Sequence, residues 1–286
     1  CRPSRILAPS ARMVRMNDEH SAARTHEVEI DNSNRSTTPS STRFLDFIMS
    51  EWAESPAVIP AARVAAPFAA ARRAALSSQF PGQRMVIEAG SMKQRSNDTF
   101  FPFRAHSAFS HLTGWGADSE PGAVLVLDPT SGGHEATLYF RERAGRDTEE
   151  FFQNSEIGEF WIGARPSLAQ VAGDLGLPAR SLAEFVATAD DLTLANDELA
   201  RAASELRLVK DSYELTEMQA AVDATARGFD DVLATLGDAA AHPRGERVIE
   251  GAFHARARID GNTVGYETIA AAGPHACTLH WIRNDG

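Results

Sequence analysis

Asn262 to Gly286 reads N-T-V-G-Y-E-T-I-A-A-A-G-P-H-A-C-T-L-H-W-I-R-N-D-G. Tyr266 to Ala272 is a β-compatible run ended by Gly273-Pro274, where proline fixes φ and removes a ladder donor. Ala276 to Trp281 reads as a second strand. Side chains alternate across a strand, which puts Cys277, Leu279 and Trp281 on one face and Thr278 and His280 on the other. His275 and His280, five apart, then face opposite sides. The expectation is a strand–turn–strand unit with one histidine on the polar face of its second strand.

Two helices are predicted ahead of that unit. Leu215, Met218, Val222, Thr225, Phe229, Val232 and Leu236 recur in steps of three and four, one apolar stripe over five turns. Asp211 and Glu214 have capping-box spacing, and Gly237 suits a C-terminal cap. Such a stripe reads as core packing rather than a cofactor box. Arg247 to Asp260, with Val248, Ile249, Phe253 and Ile259, reads as the second helix, closed by Gly261-Asn262.

Nearer the start, residues 1 to about 42 are rich in Ser, Thr, Arg and Asn and poor in aromatics, so disorder is expected. Arg43 to Ala53 carries Phe44, Phe47, Ile48 and Trp52 at helical spacing, ended by Pro56 and Pro60. That helix packs on its own domain or binds a partner. Pro67 to Phe80 reads as a helix closed by Pro81-Gly82. Met85-Val86-Ile87, Ala123 to Leu127 and Ala136 to Phe140 are apolar strands, and Leu168 to Leu175 and Ser181 to Thr188 short helices. Continuous apolar strands between helices predict an α/β domain whose sheet is covered on both faces. The division is an extension (1–59), an α/β domain (60–200) and a further domain (201–286).

Composition narrows the function classes. A chain of 286 residues has room for two ordinary domains. With 39 acidic against 28 basic residues, the net charge of −11 argues against a nucleic-acid partner. Cys1 and Cys277 make no disulfide framework, which points to a reducing cytoplasm. No apolar run reaches the roughly 18 residues of a membrane span, and the Arg-containing start lacks a signal-length apolar core. Met13 or Met16 reads as a more natural start than Cys1.

G-P-H-A-C-T-L-H-W-I-R-N resembles the segment of aminopeptidase P and its prolidase relatives that precedes the metal-binding half of their pita-bread catalytic domain. Ser96-Asn97-Asp98-Thr99 to Phe103-Arg104, His106 to Phe109, Leu112-Thr113-Gly114, Glu120 to Leu127 and Glu205 to Lys210 resemble the same family. The resemblance implies a creatinase/prolidase-like N-terminal α/β domain followed by an incomplete pita-bread (α+β) domain. It also implies an Xaa-Pro aminopeptidase, which releases the N-terminal residue from peptides with proline second. Family members use two divalent metal ions, typically manganese, held by two aspartates, a histidine and two glutamates. All five are expected in sequence following Gly286, so this polypeptide alone is expected to be an inactive fragment. Residues 205 to 286 should then expose an unpaired sheet edge and the apolar stripe. A prolidase or creatinase-type hydrolase shares the architecture, and some pita-bread domains have lost their metals and bind peptides or proteins instead.

By its place in C-T-L-H-W, His280 matches the family histidine that lines the substrate pocket, where a neutral imidazole can hydrogen-bond the substrate carbonyl or relay a proton. Taken alone, a strand histidine reads as a surface or hydrogen-bonded core residue. Trp161, in G-E-F-W-I-G, resembles an aromatic residue that reaches a neighbouring subunit's active-site mouth in a homo-oligomer, a dimer or tetramer; ordinary packing is the other reading. Nothing assigns His275 a role. Cys277 reads as a small buried hydrophobe, because no nucleophile turn surrounds it. Glu267, Asp285 and Asp260 match no ligand motif. His106 and His111 lack the spacing of a zinc helix and read as core or interface residues, and Gly114-Trp115-Gly116 and Ser131-Gly132-Gly133 as turns.

Overall fold

Three apolar runs form the middle of a five-stranded sheet because each alternates between two buried faces. The computed structural model describes residues 41–53, 58–97 and 99–286. Cys1, Met13, Met16, Pro56, Asp98 and most of the stretch expected to be disordered lie outside them. In chain order the elements are α1 (Thr42–Met49), α2 (Ala65–Ser77), β1 (Met85–Glu88), a small hairpin of β2 (Gln94–Ser96) and β3 (Thr99–Phe100), and α3 (Ser107–Thr113). Then come β4 (Val124–Thr130), β5 (Gly133–Phe140), α4 (Glu150–Gln153), α5 (Glu159–Ile162), α6 (Leu168–Leu175), β6 (Ala179–Ser181), β7 (Leu192–Thr193) and α7 (Asp197–Glu205). Last are α8 (Ser212–Ala241) and α9 (Gly245–Asp260).

The sheet order is β6-β5-β4-β1-β7. β1, β4 and β5 are antiparallel neighbours, while β6 and β7 add parallel edges. Met85, Ile87, Leu125, Leu127, Leu138 and Phe140 face the main core with Leu76 of α2, Phe109 and Leu112 of α3, Leu175 of α6 and Leu199 of α7. The alternate positions Val86, Val124 and Val126 pack against Tyr139, Leu182 and Phe185 on the other face. Both faces are covered as expected, one by helices and one by a thin strap. Of the helix expected over Ser181 to Thr188 only a 3-10 turn at Leu182–Glu184 forms, because Ser181 pairs in β6.

Arg72 of α2 ties α8 to this domain. Its Nε and Nη2 donate to Asp211 Oδ2 at 2.9 and 2.6 Å, and Nη1 donates to the His111 carbonyl at 3.0 Å. Asp211 at the same time closes the expected capping box with Glu214. Phe68 and Tyr213 pack nearby, ring centroids 5.6 Å apart. α8 and α9 form an antiparallel pair held by Arg256–Asp231 at 2.7 Å and Arg227–Asp260 at 2.8 Å. Gly228 permits their close approach, since a Cβ there would lie 2.8 Å from the Phe253 ring.

Three expectations for this half need correction. Gly237 does not end α8, which continues to Ala241 and stops at His242, held extended by the following Pro243. The apolar stripe is not core: Leu215, Val222 and Phe229 are more than half exposed, since α9 covers only one side of α8. Tyr266 to Trp281 contains no strand, and Gly273–Cys277 is a 3-10 turn. An isolated two-stranded hairpin is marginal in water, and the Ala270 and Ala272 amides donate to the Asn284 and Glu246 side chains instead.

Candidate functional site

Residues 262–286 fold back on the start of α9 around one carboxylate. Glu246, 3% exposed, occupies the first turn of α9, where the helix dipole favours an acid. Its Oε1 accepts from the Ala272 amide and His275 Nδ1, both at 2.8 Å. Its Oε2 accepts from Trp281 Nε1 and the Gly286 amide, both at 2.9 Å. Burial alone would raise this carboxyl; the two backbone amides, His275 and Trp281 outweigh it and hold the group at about 2 against an ordinary 4.5. His275 and Trp281 stack at 3.9 Å, and the Arg283 guanidinium sits 4.1 Å from the Trp281 ring centroid. Asn284, fully buried, accepts from the Ala270 amide and donates to the Thr268 carbonyl. Arg247 reaches the Asn284 carbonyl at 3.2 Å.

His280 lies on the outside of this fold-back. Its ring is exposed, and no side-chain hydrogen bond or ion pair holds it among the described residues. Cys277 is exposed, not buried: without a strand, no sheet face exists to cover it. His275, given no role by the sequence, is a structural partner of Glu246. Asp260 is committed to Arg227 and Arg256, whereas Glu267 and Asp285 are exposed.

Trp161 belongs to an aromatic cluster over α1, α4 and α5. Its Nε1 donates to the Phe152 carbonyl at 2.7 Å and its ring stacks on Phe152 at 5.8 Å, yet the residue remains 45% exposed. Phe44 meets Phe152 and Trp52 meets Phe151 in the same cluster, so α1 packs on its own domain. Packing therefore fixes Trp161 without covering it. No ring contact or hydrogen bond joins Trp161 to His280 among the described residues.

His106 caps α3, its Nδ1 accepting from the Ala108 amide at 3.2 Å. His111 is buried beside Glu214 (3.4 Å), and burial, ahead of the nearby Arg72 charge, pushes its imidazole below the ordinary 6.5. Neither is a metal ligand here. Among the described residues no group of three or more His, Cys, Asp or Glu side chains could hold a metal ion. Glu246 already has four N–H donors, and an ion would have to strip them. The residues present do not fit a two-ion centre.

The comparisons with known proteins agree with this fold. Residues 69–200 match the family described as "Aminopeptidase P, N-terminal domain". The chain is 47% identical over 240 residues to Xaa-Pro aminopeptidase 1 of Streptomyces coelicolor, covering 76% of this chain and 48% of that protein. It is 44% identical over 244 residues to Xaa-Pro aminopeptidase 2 of the same organism, covering 77% and 51%. Among solved structures, aminopeptidase P from Escherichia coli in its low-pH form superposes with a TM-score of 0.59 at 22% identity, covering 79% of this chain and 57% of that one. The zinc-substituted form of the same enzyme in complex with product matches equally. Fold and core thus define an aminopeptidase P N-terminal α/β domain. Residues 69–200 match the aminopeptidase P N-terminal domain, and the chain spans about half the length of the curated relatives it matches.

The Glu246 hub escaped the sequence reading because its partners lie 26 to 40 residues downstream with no periodicity linking them. The only local signal is an acid in a helix's first turn just after Pro243-Arg244-Gly245.

Proposed function

We propose that this chain is the N-terminal part of a metal-dependent Xaa-Pro aminopeptidase that releases the first residue of peptides whose second residue is proline. Identity of 47% to Xaa-Pro aminopeptidase 1 across 76% of the chain carries this reading. Two divalent ions, manganese by the family pattern, supply a hydroxide nucleophile in such enzymes. Their ligands come from outside these 286 residues. His280 lines the substrate pocket, its imidazole, without a side-chain partner among the described residues, placed to hydrogen-bond the substrate carbonyl. Trp161 sits at the mouth of a neighbouring subunit's pocket in a homo-oligomer, a position its anchored but half-exposed ring suits. Residues 60–200 act as one domain and 201–286 begin the catalytic one. The absence of a membrane-spanning helix among the described residues is compatible with a cytoplasmic site.

A test uses the purified chain and a longer gene product that continues past Gly286. The 286-residue chain should neither bind Mn²⁺ stoichiometrically nor cleave Xaa-Pro peptides. In the longer protein Trp161→Ala should raise KM with metal content unchanged; unaltered kinetics would remove Trp161 from the pocket. Peptide binding without cleavage or metal would favour a binding module instead.

A further inference from the structure

A cavity of about 530 Å³ opens between the end of α2 and the β4–β5 hairpin. Arg73, Ser77 and Ser78 line it from the helix side, and Thr130, Ser131 and His134 from the hairpin. Among its described lining residues there is no aspartate or glutamate, in a chain of net charge −11. Its volume lies within the range of small-molecule sites.

Arg73 is the unusual member. It is 8% exposed, and its hydrogen bond among the described residues runs from Nη1 to the Leu112 carbonyl at 2.7 Å. Arg63, Arg72, Arg84 and Arg165 of the same domain each meet a carboxylate: Asp174, Asp211, Asp191 and Glu120 respectively. Arg73 meets none among the described residues. A buried guanidinium without a counter-ion is costly, and burial pushes this one below its ordinary range. With Nη1 engaged, the Nε–Nη2 edge is left, the fork that takes an oxyanion side-on.

Ser77 and His134 spend their hydrogens within the protein, which leaves Arg73 as the cationic group of the lining. The Gln83 carbonyl can only accept, so His134 Nε2 carries the hydrogen at 2.7 Å, and Nδ1 accepts from the Ser77 hydroxyl at 2.7 Å. Ser131, exposed at the tip of the hairpin, lines the same opening and has no side-chain hydrogen bond among the described residues, so its hydroxyl is available to a ligand. We propose that this cavity is an oxyanion site, in which Arg73 and the Ser131 hydroxyl take the carboxylate or phosphate group of a small metabolite. It is separate from the peptidase reading and does not depend on it.

The alternative is that Arg73 only ties α2 to the end of α3 through Leu112. The decisive experiment follows the Arg73 Nε–H NMR signal of the 286-residue chain during titration with inorganic phosphate and, separately, acetate. A saturable shift with phosphate assigns a phosphorylated ligand, and one with acetate alone a carboxylate. R73Q should weaken binding roughly tenfold or more, the loss of a charge-assisted pair. Because R73Q removes the Leu112 bond and can fail to fold, A74E supplies a second variant. Ala74 lines the cavity from an exposed helical position, so a glutamate there brings an internal counter-ion without disturbing the core. A74E should stay folded and lose anion binding. No saturable shift with either anion in the folded chain, or binding that survives A74E, would overturn the proposal.

Discussion

The sheet domain and the final twenty-five residues contrast in how their apolar side chains are used. In β4, Val124 to Leu127 are buried on both faces, and each residue has a core to enter. Between Tyr266 and Ile282, Tyr266 is 85% exposed and Leu279 87%, and a single carboxylate rather than a core organises the segment. A strand forms where neighbouring strands and helices cover both its faces. The same kind of apolar run, given only a helix end to lie on, becomes an irregular fold-back pinned by charge-assisted hydrogen bonds.

The contrast is sharpest at a central core position. Leu125→Ala in β4 should cost about 3 kcal/mol, the usual loss for a fully buried leucine, read as a lowered urea midpoint. Asp211→Ala should cost about 1 kcal/mol through the lost cap, with the first turn of α8 losing hydrogen-exchange protection before the sheet does. Glu246→Gln should release residues 262–286, with faster exchange at the Ala272 and Gly286 amides and no change in β1, β4 or β5. Acid should act in the same place. A carboxyl held at about 2 against 4.5 adds stability that is complete above pH 4.5 and is lost as pH falls towards 2, so the protection factor at the Ala272 amide, taken against its intrinsic exchange rate at each pH, should fall across that window. Smallest of all, Val222→Glu on the exposed stripe should move the urea midpoint by less than about 0.5 kcal/mol while reducing binding of an apolar dye.

Periodicity made most of the sheet domain legible. Leu168 to Leu175 is a helix with the residues expected, and the Asp211–Glu214 box forms as read. Those signals are local, set by spacing and caps. The failures are non-local. Gly237 was read as a stop because glycine often ends helices, but the break belongs to Pro243. The Arg72–Asp211 pair is 139 residues apart in sequence and leaves no pattern. No local pattern marks His275 as a structural residue; only the position of Glu246 makes it a partner, while the His280 ring has no side-chain hydrogen bond among the described residues.

Activity of a longer protein that contains this chain together with the proposed metal ligands tests the central claim directly. That protein, loaded with Mn²⁺, is expected to release the first residue from Xaa-Pro peptides, and His280→Ala should lower kcat roughly a hundredfold, the small end of the range for a lost proton-transfer group, with metal content intact. A metal-free protein with no Xaa-Pro cleavage, or full activity after His280→Ala, would contradict the account.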